Sequence, residues 1–402
     1  MKKIVIVGGG YAGLQCALTL QRTISAGEAD ITLICKHDYH YPSTLLHRIA
    51  LGTYSMRKAR VFYRTILDPA KVTFVKDDIK HVDVENKRVV GEQGSYDYDY
   101  VVIAAGFDDN TFHMPGVDDY AYRMCSMNTA QRMLDDMEDN FKDYHLDHDP
   151  LRLKFAIVGN GFTGVEYAAE LTDRVADLCR VNGIDKSLVE ITLIGRHEEM
   201  LPMLGEKGGA YAKRRLAEVG VKYLVASAEG VEPDGVIVKK DGETLKIPAT
   251  IVLWAAGIVG SELVEDAHLP NRGYRVAVNE HMLAPGYDNL FVIGDCAAFA
   301  AEGEKRPYPP TGQVAQQMGR YVAKQLVRLV RNQDYSGPFV YKYKGTVCSL
   351  SHNDAVGLVA GITLKGRVAA FAKNFIENKW FKELGGWNMV FKKGQFSRRT
   401  SD

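Results

Sequence analysis

The opening stretch MKKIVIVGGGYAGLQCALTLQ, Met1–Gln21, constrains the fold more than any other part of the chain. Lys3–Val7 is a short β-branched apolar run, the pattern of a strand buried on both faces of a parallel sheet. It runs into Gly8-Gly9-Gly10-Tyr11-Ala12-Gly13, a G-x-G-x-x-G turn, and then an amphipathic helix carrying Leu14, Leu18 and Leu20. Gly8 permits the tight turn, Gly10 lets backbone touch a pyrophosphate, and Gly13 lets helix pack closely on strand. The helix N-terminus then presents unpaired N–H groups and partial positive charge to the phosphates. Strand, turn and helix in this order point to a dinucleotide site; the alternative is a purely structural turn.

The same order occurs again. Ile31–His37 (ITLICKH) reads as the second strand. Much later, Leu153–Val158 leads into Gly159-Asn160-Gly161-Phe162-Thr163-Gly164, opening a helix expected from Val165 to about Arg174, and ITLIGRH (Ile191–His197) follows. YVVIAAG (Tyr100–Gly106) likewise matches IVLWAAG (Ile251–Gly257), buried strands ending in small residues where a ligand or another backbone must come close. The repeat predicts an α/β protein with two doubly wound, Rossmann-like dinucleotide-binding domains, the second inserted in the first. Between the copies, Asp108–Pro150 is acidic with helical periodicity at Met133, Leu134 and Met137, and reads as a solvated connecting segment or, alternatively, a docking surface. Gly220–Leu245 reads as short strands with turns at Pro233-Asp234-Gly235 and Asp241-Gly242. Tyr287–Asp295 is a buried strand ending in Gly-Asp, which puts a carboxylate at the C-terminal sheet edge where ligands bind.

Composition sets outer bounds. At 402 residues two or three domains are expected. A net charge of zero recommends no nucleic acid. The opening apolar run stops at Gly8, too short for a signal peptide, and no run approaches the roughly 18 apolar residues of a membrane span, so a cytoplasmic-side location is expected. The six cysteines are scattered with no C-x-x-C, which argues against a disulfide framework, a zinc site and a dithiol centre, and no metal site is expected. They read as small buried hydrophobes in a reducing compartment.

On these residues the sequence resembles the two-dinucleotide-domain flavoproteins, and most closely the type II NADH:quinone oxidoreductases, the single-subunit, non-pumping NADH dehydrogenases. The specific pieces are Asp38–Gly52 (DYHYPSTLLHRIALG), Gly159–Leu171 (GNGFTGVEYAAEL), Gly294–Ala297 (GDCA), Arg306–Gln317 (RPYPPTGQVAQQ), Gly345–Leu350 (GTVCSL) and Phe391–Phe396 (FKKGQF). The resemblance implies hydride transfer from NADH or NADPH to non-covalent FAD, then two electrons to a membrane quinone. It implies FAD-binding segments 1–112 and 267–335, an acidic connector 113–150, an NAD(P)H-binding domain 151–266 and a C-terminal quinone-pocket and membrane-anchoring region 336–402. Gly8–Ala12 would hold the FAD pyrophosphate, with Cys35-Lys36 by the adenosine ribose and Ile79 by the adenine. Asp295 would accept a hydrogen bond from the ribityl chain, and Gly312 would approach the flavin ring. Gly159, Gly161, Phe162, Thr163 and Gly164 would hold the nicotinamide nucleotide's pyrophosphate, with Gly257 closing the repeated strand and Glu166 near the nicotinamide end. Gln313 and Gln317 match a paired-glutamine motif of the quinone pocket, and Lys373 matches a lysine near the flavin and quinone tunnel.

Two departures bear on specificity. An acidic residue at the end of the second strand commonly binds the adenosine ribose. In the first copy that position is Cys35, so a backbone group or Asp38 would substitute. In the second copy it is Gly195, followed by Arg196, whose guanidinium can pair bidentately with a 2′-phosphate. NADPH is therefore expected to serve comparably to, or better than, NADH, unless Arg196 is only a surface charge. Glu166, placed on the first turn of its helix, could bind the carboxamide, take part in proton transfer or merely complement the helix N-terminus. Gln313 and Gln317 share one helix face at i and i+4, either against quinone carbonyls or as an exposed polar face.

Lys373–Phe396 interleaves Phe375, Ile376, Trp380, Phe381, Leu384, Trp387, Met389, Val390 and Phe391 with lysines, a composition suited to an interfacial helix on anionic lipid that Gly385-Gly386 would break in two. A homodimer interface is the other use for it, and both can hold. The expected location is the cytoplasmic face of the cell membrane, held peripherally. Sulfide:quinone oxidoreductase is the enzyme alternative, although it needs a catalytic cysteine pair and Cys348 has no evident partner in sequence. Soluble NADH oxidases carry a redox cysteine in the region matching Tyr39–Gly52, which has none. A non-catalytic, flavin-loaded binding protein is the alternative of another class.

Overall fold

In the computed structural model, which describes residues 1–396 apart from Lys305 and His352, the run Lys2–Val7 is the middle strand of a five-stranded parallel sheet. The strand order is Leu290–Val292, Tyr100–Ile103, Lys2–Val7, Ala29–Cys35, Thr73–Lys76. Ile4 to Val7 are all buried, as a strand covered on both faces requires. The helix Tyr11–Thr23 follows, and Leu14, Cys16, Leu18 and Leu20 are buried around most of its circumference. A second helix, Gly312–Val330, covers its outer side. Gly319 makes that approach possible, since a Cβ there would lie 2.2 Å from the Ala12 carbonyl oxygen. These elements belong to one of two contact units, Met1–Pro42, Arg60–Asp108 and Val259–Lys342.

The other unit comprises Ser43–Ala59, Asp109–Ile258 and the chain from Tyr343 onward. Its parallel sheet, ordered Tyr122–Arg123, Ile251–Trp254, Lys154–Val158, Glu190–Gly195, Val221–Val225, reproduces the first strand for strand. Even the register repeats, with Val158 opposite Ile194 as Val7 is opposite Ile34. The helix after the second glycine turn runs Phe162–Asn182, longer than its sequence pattern promised. Val175, Leu178 and Cys179 continue the buried stripe, and the helix stops only at Gly183, φ +64°. An antiparallel sheet of Ser227–Glu232, Gly235–Lys240 and Glu243–Pro248 fills the crossover.

The acidic segment is more than a solvated connector. Ser126 caps the helix Met127–Asp147 by accepting from the Thr129 N–H, and Met127, Ala130, Met133, Met137 and Phe141 form one fully buried face. Only the opposite side, with Asp135, Asp136 and Asp139, is left to water. The helical periodicity read at Met133 and Met137 belongs to a buried face that also takes in Met127, Ala130 and Phe141.

A three-stranded antiparallel sheet, Thr346–Ser351, Asp354–Val359 and Ile362–Lys365, leads into the C-terminal helix Gly366–Lys393. Gly385 and Gly386 break it as expected, Gly386 at φ +65°. The apolar residues divide between two faces. Trp380, Phe381, Leu384 and Val390 are buried, whereas Phe371, Phe375, Trp387, Phe391 and Phe396 are each more than 60% exposed. The short piece after the break is fastened down: Tyr54 donates to the Lys393 carbonyl (2.6 Å), the Asn378 side chain donates to the Gln395 carbonyl (2.8 Å), and it accepts from the Gln395 N–H (2.7 Å). Among the described residues no helix is long and apolar enough to cross a membrane.

Candidate functional site

The first glycine turn is closed by contact. Gly8 sits at φ +103°, where a Cβ would lie 2.3 Å from the Ala104 carbonyl oxygen, and a Cβ on Gly13 would lie 1.9 Å from the Gly8 carbonyl oxygen. Gly10, the N-cap, faces open space in front of the helix N-terminus. Beside it the Gly9 carbonyl accepts from the Tyr63 hydroxyl (2.8 Å) and from His40 Nδ1 (3.0 Å). A carbonyl can only accept, so Nδ1 carries the proton. Burial pushes His40 down to about 4, against the pull of that hydrogen bond, and the ring is neutral near pH 7. Tyr11 packs edge-on against His40, and Gly312 lies against the Tyr11 ring.

Asp295 follows the Leu290–Val292 strand of the same sheet. Its Oδ1 is buried without a hydrogen-bond partner, and burial pushes the carboxyl up to about 6, although Arg275 pulls it down. An orphaned buried acceptor costs about 1–3 kcal/mol, a cost that a ligand hydroxyl would remove. Open space at Gly10, a fixed turn and an orphaned carboxylate fit a dinucleotide cofactor with a polyhydroxyl chain. Cys35 is half-buried with Tyr63 Oη 3.6 Å from its sulfur, Lys36 and Asp38 are exposed, and Ile79 is half-buried. Gln313 and Gln317 lie in the first turns of the Gly312–Val330 helix. Gln317 spends its amide on backbone, donating to the Lys342 carbonyl and accepting from the Lys342 N–H, each at 3.0 Å. In this arrangement Gln317 holds the backbone at Lys342.

The second turn repeats the first to the atom. Gly159, φ +121°, approaches the Ala255 carbonyl, Gly164 approaches the Gly159 carbonyl, and Gly161 faces open space. Phe162 and Thr163 begin the helix, and the Gly257 carbonyl accepts from the Asn110 N–H (2.9 Å). At Gly195 there is no room for an acidic reader. A Cβ would lie 2.5 Å from Tyr223 Oη and 2.8 Å from Asn160 Cγ. Asn160 donates to Tyr223 Oη and to the Glu199 carbonyl (both 2.8 Å), and Tyr223 donates to the His197 carbonyl. Arg196 is exposed, its guanidinium 5.3 Å from the centre of the Phe112 ring.

Glu166 lies just past the first turn of its helix, not on it, because Gly161 is the N-cap. It is buried and accepts from Lys373 Nζ (2.7 Å) and the Ser349 N–H (2.9 Å), so its partner is a lysine and not the helix dipole. Around the pair stand residues the sequence did not single out. Glu170 accepts from Ser349 Oγ (2.6 Å) and lies 3.6 Å from Arg48 Nε and 3.7 Å from His47 Nε2, while Glu377 lies 3.4 Å from Arg48 and 3.8 Å from Lys373. All are buried. Burial opposes ionisation of Glu166, but Lys373, His47 and the two hydrogen bonds hold its carboxyl below the ordinary range. Burial likewise opposes the Lys373 ammonium, and Glu166 and Glu377 outweigh it and hold it above the usual lysine value. The signal was available: Glu166/Glu170 and Lys373/Glu377 are i, i+4 pairs on two helices.

Residues 2–319 match the model of the pyridine nucleotide-disulphide oxidoreductases, and the chain belongs to that family of α/β oxidoreductases. A narrower likeness accompanies it. The chain is 39% identical over 398 residues to the type II NADH:quinone oxidoreductase of Staphylococcus aureus strain NCTC 8325 and 38% identical to that of Staphylococcus saprophyticus, covering 98% of this chain and 99% of each relative. Within the wider family it is a member of the type II NADH:quinone oxidoreductases. The fold agrees with NDH2 from Plasmodium falciparum in complex with NADH (TM-score 0.87, 20% identity, 98% and 96% of the two chains). It also resembles the sulfide:quinone oxidoreductase of Aquifex aeolicus (TM-score 0.77, 22% identity, 96% and 92%).

Proposed function

We infer that this protein is a peripheral membrane flavoenzyme that takes hydride from NADH or NADPH and delivers two electrons to a membrane quinone. The observation that carries this is the repeated glycine cradle, one copy of which has the orphaned Asp295 beside it. Bound FAD would supply the two-electron relay between nucleotide and quinone. Gly8–Gly13 and the N-terminus of the first helix hold its pyrophosphate, and Asp295 accepts from its ribityl chain. Gly159–Gly164 hold the pyrophosphate of the nicotinamide nucleotide. Arg196 pairs with a 2′-phosphate, which makes NADPH a substrate beside NADH.

Quinone reduction to quinol takes up protons as well as electrons. Glu166 keeps Lys373 an ammonium, a donor able to give a proton to a reduced quinone oxygen and recover it from solvent. Gln313 contributes an amide to the quinone pocket, and Gln317 positions the backbone at Lys342. The exposed aromatic run of Phe371, Phe375, Trp387, Phe391 and Phe396, with Lys379, Lys382 and Lys392 on the same helix, lies on the cytoplasmic lipid surface. A homodimer would use further exposed apolar side chains, Val368 and Ile362 among them. The sulfide:quinone alternative draws no support from cysteine placement, because no two cysteines form a disulfide among the described residues and Cys348 is fully buried.

The test is steady-state oxidation of NADH and NADPH with a menaquinone and a ubiquinone analogue, with sulfide as an alternative donor. A yellow protein bleached by nucleotide and turned over by quinone is expected. A chain that stays colourless with FAD, or a flavin that bleaches without turnover, overturns the reading.

A further inference from the structure

A cavity of about 440 Å³ opens between residues 52–58 and the short helical piece after Gly386. Arg57, Lys58, Lys392 and Lys393 line it, and no carboxylate does among the described residues. Two of the four cations, Lys58 and Lys393, are anchored. Tyr54 fixes the Lys393 carbonyl, Lys393 Nζ donates to the Lys58 carbonyl (3.0 Å), and Lys58 Nζ lies 5.5 Å from the centre of the Tyr54 ring. Burial, and after it Lys58, Arg57 and Lys392, push the Lys393 ammonium down from its ordinary range. Like charges gathered around one cavity repel unless an anion enters it. At the rim is Phe391, 72% exposed and in a row with Trp387 and Phe396 at ring-centre distances of 6.4 and 6.0 Å.

We propose that this cavity binds the phosphodiester headgroup of an anionic phospholipid. Charge selects the phosphate, and the aromatic row beside it gives the acyl chains an apolar surface that a free phosphate would not use. The proposal rests on the lipid-docking reading above and adds to it a defined headgroup site, distinct from diffuse attraction between lysines and an anionic surface.

The experiment uses the FAD-loaded full chain and monomeric dihexanoyl phosphatidylglycerol below its micelle concentration, followed by titration calorimetry. Dihexanoyl phosphatidylcholine and inorganic phosphate are the comparison ligands. Two variants remove equal charge: Arg57→Gln/Lys392→Gln in the cavity and Lys379→Gln/Lys382→Gln elsewhere on the helix. Turnover with a water-soluble quinone verifies that both are folded. Saturable binding of the anionic lipid to one site is expected, weakened tenfold or more by the cavity pair only, with inorganic phosphate at least tenfold weaker. On anionic vesicles both variants should lose affinity, by roughly fivefold per charge. Equal loss of monomeric-lipid binding in both variants, or inorganic phosphate binding as tightly as lipid, overturns the proposal. Unaltered protein that floats with vesicles but does not bind the monomeric lipid overturns the cavity and leaves the docking reading standing. Failure to float with neutral or anionic vesicles overturns the docking reading, and the lipid occupant with it.

Discussion

Glu166 and Lys373 are 207 positions apart in the chain, yet Nζ lies 2.7 Å from Oε1 and both side chains are buried. Removing one partner of such a pair leaves an uncompensated charge, at about 3–5 kcal/mol. The surrounding Arg48, His47, Glu170 and Glu377 make it a cluster whose members answer to one another.

Lys373→Met is therefore expected to uncouple the two half-reactions. Stopped-flow reduction of the flavin by nucleotide should persist, while reoxidation by quinone falls about 10²-fold. In the parent protein Glu166 has a depressed folded-state value, so its stabilisation is present above the ordinary carboxyl range and lost as pH falls through the folded value. Without Lys373 that acid limb should move to higher pH in a series of melting curves.

Asp295 predicts a pH dependence for cofactor binding. Its carboxyl stands at about 6 without a donor, and accepting a ribityl hydroxyl would lower it. FAD affinity of the apoprotein should then climb by up to about tenfold per pH unit below 6 and level off above it. Asp295→Asn should bind FAD more weakly and without that slope, as read by fluorescence quenching.

Nucleotide choice should follow Arg196. Arg196→Ala is expected to lower the NADPH-to-NADH ratio of kcat/KM by about tenfold or more. Gly195→Glu should not convert the site to strict NADH use. Its side chain would collide with Tyr223 and Asn160, and a lower Tm is expected instead.

His40 predicts acid sensitivity of the first cradle. Its folded value of about 4 lies below the ordinary histidine value, so protonation favours unfolding and stability falls as pH drops from about 6.5 to 4. A shift of that size corresponds to about 3 kcal/mol. His40→Asn, which keeps a donor for the Gly9 carbonyl, should flatten the stability profile over that window.

The elements legible in the sequence were those fixed by local rules. Gly8 and Gly159 need positive φ, Gly13 and Gly164 need a missing Cβ, and Lys3–Val7 needs two covered faces; each announces itself within a few residues. What was hidden depended on partners far along the chain. His47 and Arg48 look like stray charges in an apolar run until Glu170 and Glu377 arrive from other helices. The hold of Gln317 on Lys342, from beyond the end of its helix, likewise leaves no mark on local sequence. The acidic segment misled for the opposite reason, because abundant aspartates outweighed five well-spaced core residues in the reading of its composition.

The break at Gly385-Gly386 has a mechanical result. The piece beyond it is tied back by Tyr54 and by both ends of the Asn378 amide, so it works as a bracket and not as a tether. On the lipid-docking reading proposed above, a body mounted on such a bracket would keep one tilt against the membrane surface. Loosening the joint, for instance with Asn378→Ala, should leave adhesion to vesicles intact and let the mounted body wobble.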